Sequence, residues 1–85
     1  MHTAEEIEFE VTVVEGYDSE EVRDKLEEWL PEPDTVGYFW YGSVVSFDSG
    51  SILLECKVDI INVTISEVIS RIEKEISSVE KVERS

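Results

Sequence analysis

The sequence predicts one α+β domain spanning residues 1–85, with the element order β-α-β-β-α-β. Three observations carry that prediction. Residues 7–14 alternate apolar and polar side chains, which marks a half-buried strand. Two apolar stripes at helical spacing each follow a capping signal. Between them, two stretches rich in apolar and β-branched residues flank a hairpin turn.

Residues 1–6 are expected to fray. In IEFEVTVV (7–14), Ile7, Phe9, Val11 and Val13 share one face, and Glu8, Glu10, Thr12 and Val14 the other. Glu15, Gly16, Tyr17 and Asp18 turn the chain. The first helix covers 19–30. Asp18 and Glu21 form a capping pair, and acids crowd the first turn, where the helix dipole favours them. Val22, Leu26, Trp29 and Leu30 make its apolar stripe, and Pro31 and Pro33 end it.

The second strand covers 36–47 and the third 52–60. DSGS (48–51) turns between them, with Gly50 available for positive φ. Ile52, Leu54, Cys56, Val58 and Ile60 share a face of the third strand. Thr64 and Glu67 read as a capping box, and Val63 and Val68 as a hydrophobic staple. They open a second helix with the stripe Ile65, Val68, Ile69, Ile72 and Ile76. A short, charged fourth strand at 78–84 suits a sheet edge.

Two right-handed βαβ crossovers in one chain place both helices on the same side of a four-stranded antiparallel sheet. That is the ferredoxin-like architecture, with strand order 4-1-3-2 and one sheet face left open. A two-residue turn at Ser49 and Gly50 sets Asp48 against Ser51, Phe47 against Ile52, Val45 against Leu54, Tyr41 against Val58 and Phe39 against Ile60. The open face then carries Tyr38, Trp40, Val44 and Ser46, with Leu53, Glu55, Lys57 and Asp59, and Glu8, Glu10 and Thr12. The aromatic run Tyr38, Phe39, Trp40, Tyr41 splits accordingly, with Phe39 and Tyr41 in the core and Tyr38 and Trp40 facing solvent. A slip of one residue would exchange the two pairs.

Charge is the outlier in composition. Lys and Arg number 7 against 21 Asp and Glu, a net charge of −14. A nucleic-acid binder needs a basic footprint, so direct binding of DNA or RNA is excluded as an expectation, and anionic membrane is disfavoured for the same reason. A basic partner would be steered toward the chain. The same charge also serves solubility or a salt-adapted surface. Cys56 is the single cysteine, which excludes an intrachain disulfide and reads as a small buried hydrophobe. No run reaches the roughly 18 apolar residues of a membrane span. A cytoplasmic protein is the expectation.

Familiar chemistries of this architecture lack their residues. Base-stacking RNA-recognition domains pair aromatics with cations on the central strands, where this chain has Glu8, Glu10, Glu55 and Asp59 around Lys57. The first loop, EGYDSE, has no Cys-x-x-Cys for a heavy metal. Arg23 sits on the first helix among acids, away from an acylphosphatase-type cradle, and Asn62 alone does not make one. His2 is the only histidine, so no Ser-His-Asp set exists. Glu20/Glu21 and Glu27/Glu28 read as solvated helix surface. No enzyme, cofactor or metal is expected. In size, element order and its closing ISSVEKVER (76–84) the chain is similar to the archaeal nucleotide-exchange domain of elongation factor 1-beta. Its central GYFWYG (37–42) departs from the apolar Gly-Leu segment of that family, and no residue role is carried over.

Exposed aromatics rimmed by carboxylates read as an interaction surface. The expectation is a non-enzymatic binding module that occupies a basic, nucleic-acid-binding surface of a protein partner. In size and charge it looks like the small acidic inhibitors that phages carry against host defence nucleases, the anti-CRISPR kind included. Its contacts are Glu8, Glu10, Tyr38, Trp40, Glu55 and Asp59, with Glu20, Asp24, Glu27 and Glu28 as a second acidic surface. The alternative is a self-associating structural or regulatory domain. It would be a homodimer through the sheet face or the edge of the second strand, sensing a small ligand at Glu15–Asp18.

Overall fold

The computed structural model describes residues 4–32 and 39–85. Six elements follow in the expected order: β1 (Ala4–Val13), α1 (Ser19–Trp29), β2 (Trp40–Asp48), β3 (Ser51–Asp59), α2 (Ile65–Glu75) and β4 (Val79–Arg84). The strands make one antiparallel sheet in the order β2-β3-β1-β4. Read from the β4 edge, that is the 4-1-3-2 order of the ferredoxin-like fold.

Parity along the strands decides what is buried. Ile7, Phe9, Val11 and Val13 of β1 join Ile52, Leu54, Cys56 and Val58 of β3 in one core with Val22 and Leu26 of α1 and Val68 and Ile72 of α2. Side chains alternate along a strand, so both helices cover one face and the other stays open. β1 begins at Ala4, earlier than the alternation predicts. Ala4, Glu5 and Glu6, expected to fray, pair with Asp59, Val58 and Lys57.

The helix starts follow their signals. The Asp18 carboxylate caps α1 by accepting the Glu20 N–H at 3.0 Å, so its partner is the Glu20 backbone and not Glu21. Thr64 Oγ1 accepts the Glu67 N–H at 3.1 Å. Val63 packs against the core to which buried Val68 belongs, consistent with a staple. Gly50 has φ 83°, which supplies the left-handed residue of the hairpin. Its N–H donates to Ser19 Oγ at 2.6 Å, tying the hairpin to the start of α1.

The largest departure is the parity of β2, and Ile60, expected on the buried face of the third strand, lies beyond its end and is 42% exposed. The hairpin end pairs as predicted, Asp48 with Ser51 and Phe47 with Ile52. Between Val44 and Ser46 the register then shifts by a β-bulge at Val45. Beyond it, Val44 pairs with Leu54, Tyr41 with Lys57 and Trp40 with Val58, each one residue away from the predicted partner. The extra residue turns every side chain before the bulge to the other face. Trp40 is therefore buried, with 6% of its surface exposed, and Phe39 is 51% exposed. Val44 packs against the core instead of facing solvent. Tyr38 lies outside the described residues.

The new parity fits its surroundings. The Trp40 ring meets Trp29 of α1, with centroids 5.9 Å apart and planes tilted by 56°. Gly42 lies opposite Cys56, and a Cβ there would come within 2.6 Å of the Cys56 Sγ. Only glycine lets the backbone approach that closely. After the bulge, Phe47 returns to the helix side, where the Arg23 guanidinium sits 4.3 Å from its ring centroid.

Both sheet edges are partly covered. On β2 the Gly42 N–H donates to the Pro31 carbonyl at 3.2 Å. On β4 the Val82 N–H donates to Glu73 Oε2 of α2 at 2.9 Å. Filled donors of this kind blunt an edge against further strand pairing.

Candidate functional site on the open sheet face

The open face is a ladder of cross-strand rungs. β2, β3 and β1 contribute Tyr41–Lys57–Glu6, then Ser43–Glu55–Glu8. Ser46–Leu53–Glu10 follows and extends to Glu83 of β4. Asp48–Ser51–Thr12 extends to Lys81. At the far end Phe39 lies next to Asp59, whose N–H donates to the Phe39 carbonyl at 2.8 Å. Residues on one face of such a grid stand about 6.8 Å apart along a strand and about 4.8 Å apart between strands, measured at the backbone.

Most of these charges have partners. Lys57 Nζ lies 3.6 Å from Glu6, and Lys81 Nζ 3.0 Å from Glu83. The hydrogen bond to Glu83 raises the Lys81 pKa above its ordinary value. Ser51 Oγ donates to Glu10 at 3.3 Å. Asp59 is committed to the turn it opens: Oδ1 accepts the Ile61 N–H at 3.1 Å, and Oδ2 the Asn62 side-chain amide at 2.8 Å. Glu8 and Glu55 differ. They face each other across β1 and β3, and among the described residues neither carboxylate has an ion pair or a side-chain hydrogen bond.

The structure thus brings Glu8, Glu10, Glu55 and Asp59 onto one surface. It removes Trp40 to the core and puts Phe39 and Tyr41 in its place. The helix-one acids do not join them. Glu20, Asp24, Glu27 and Glu28 ride on α1, which covers the opposite face of the sheet. Asp24 binds Arg23 at 2.8 Å and Glu20 approaches it at 3.8 Å. Phe39 and Tyr41 were missed because a four-aromatic run reads equally well in either parity. The available signals were Gly42, since glycine within a strand marks a close approach or bulge, and the adjacent Val44 and Val45, which break the alternation.

The Glu15–Asp18 turn borders a cleft of about 480 Å³ against the β2–β3 hairpin. Its polar groups serve the fold: Asp18 caps α1, Ser19 holds Gly50 and Glu20 approaches Arg23. Among the described residues no cluster of His, Cys, Asp and Glu could hold a metal ion, and no helix is long and apolar enough to cross a membrane.

No protein-family model, curated protein or solved structure matches this chain. The likeness to the exchange domain therefore remains one of size, element order and closing residues, and function has to be read from the face itself.

Proposed function

We propose that this protein is a non-enzymatic binding module of the cytoplasm that docks its open sheet face on a basic, nucleic-acid-binding surface of a partner protein. It acts by occupancy, with the carboxylate grid standing in for phosphates. The observation that carries this reading is the Glu8–Glu55 pair. Like charges directly opposite each other across a sheet destabilise it. A pair that costs stability and whose carboxylates have no ion pair or side-chain hydrogen bond among the described residues is best explained by a contact outside the chain. Phe39 and Tyr41 supply aromatic anchors beside the acids.

Self-association is the weaker reading. Face-to-face pairing would press carboxylates together, and the hydrogen bonds at Gly42 and Val82 occupy donors on both edges.

The test is capture on immobilised protein, comparing wild type with Glu8→Lys/Glu55→Lys. The expected result is a retained nucleic-acid-handling protein that duplex DNA displaces and that the charge-reversed variant does not hold. Retention indifferent to both DNA and charge reversal would sink the proposal.

A further inference from the structure

The turn after β3 has a composition that the fold does not require. Turns favour Gly, Asn, Asp, Ser and Pro, and here two β-branched apolar residues stand in one. Ile61 is 72% exposed and Ile60 42%. Neither is needed to close the turn, which is held by Asp59. Its carbonyl accepts the Asn62 and Val63 N–H groups at 3.1 and 3.0 Å, and its carboxylate accepts from Ile61 and Asn62. The two isoleucines are thus presented on a rigid support, which lowers the ordering cost of a contact made there. Asp59 bonds directly to Phe39, so a half-exposed aromatic joins the same end of the sheet. This apolar end runs into the acidic rungs that start at Glu6.

We infer that Phe39, Ile60 and Ile61 form an apolar anchor continuous with the acidic face, and that its occupant is a protein segment carrying apolar side chains flanked by Lys and Arg. Charge complementarity selects that occupant: a net charge of −14 repels a second copy and an anionic lipid surface alike. The inference rests on the proposed function and sharpens it, since a purely electrostatic mimic has no use for an apolar end.

Two labelled synthetic peptides of equal charge separate the two ideas, one of lysine and serine, the other of lysine and leucine, with binding read by anisotropy. The expected result is that wild type binds both, with the leucine peptide at least about tenfold tighter, the worth of one buried aliphatic side chain. Ile61→Ser should erase that preference and leave the lysine–serine affinity unchanged. Ile61 is a surface residue, and an unchanged circular dichroism spectrum establishes that the variant is folded. Equal affinity for the two peptides, or a preference that survives Ile61→Ser, overturns the apolar anchor and leaves the electrostatic proposal standing. Binding of neither peptide overturns both. A wild-type dimer dissociated by Ile61→Ser, or Ile61-dependent binding to phosphatidylcholine vesicles, assigns the patch to a second copy or to lipid and overturns the inference.

Discussion

The Trp40 ring packs against Trp29 at 5.9 Å, joining the first residue of β2 to the last of α1. Deleting a large buried aromatic removes its transfer energy and leaves a cavity, typically about 3–5 kcal/mol together. Trp40→Ala should therefore unfold much of the population or lower the urea midpoint sharply, whereas Phe39→Ala should change stability by no more than about 0.5 kcal/mol. Denaturation followed by far-UV circular dichroism checks both. The reverse ranking would mean that the bulge at Val45 is absent in solution.

Gly42 and Cys56 should be coupled. Gly42→Ala forces a methyl group against the Cys56 sulfur and should cost about 1–3 kcal/mol. Cys56→Ala removes the sulfur, so the double variant should be more stable than the two single losses predict, by about 1 kcal/mol. A double-mutant cycle reads this directly, and strict additivity would place the cost of Gly42→Ala elsewhere.

Burial pushes the Cys56 thiol up to about 12, with the Glu55 charge adding to the effect. The unfolded thiol ionises near its ordinary value of 9.0, so the folded state holds the proton longer. Its contribution to stability is complete below pH 9 and declines as pH rises through the interval up to about 12. Cys56→Ala should flatten stability over that alkaline range. In the native protein at pH 8 the thiol should react with a disulfide reagent only at the rate of opening.

Relieving Glu8 should strengthen the fold while harming its use. Glu55→Lys replaces a like-charge pair with an opposite one and should gain about 0.2–1 kcal/mol, less at high salt. The same substitution should weaken partner binding. Thermal melts at two ionic strengths, set beside the binding assay, test for that opposition. A variant that is neither more stable nor weaker in binding would leave the pair without a role.

Glu73 guards the β4 edge through the Val82 N–H. Glu73→Ala should lose about 1.5–3 kcal/mol, the worth of a hydrogen bond to a charged group, and should raise the solution mass as the edge becomes free to pair. Glu73→Gln keeps an acceptor and should leave the solution mass at the wild-type value. Light scattering over a concentration series distinguishes them.

Element order, topology and both helix stripes were legible because each rests on a periodicity repeated over several residues. Val22 and Leu26, or Val68 and Ile72, needed no knowledge of distant contacts. The acids of the face were legible too, since the alternation of Glu8 and Glu10 with Phe9 and Val11 leaves them one place to point. The aromatics were not. Their orientation depends on a single inserted residue, and what favours it lies in distant contacts, Cys56 across the sheet from Gly42 and Trp29 of α1 against Trp40.

The bulge at Val45 works like a reading frame for the first half of β2. Deleting Val45 would keep every pair, because the extra residue has no partner on β3. Flattening the bulge with Val45 in place would instead shift the frame, carrying Phe39 and Tyr41 inward and Trp40 outward without a change of length. Four consecutive aromatics make both frames readable. A lineage could therefore exchange the chemistry of this surface by one change that flattens the bulge, where residue-by-residue replacement would need several coordinated steps through a damaged core.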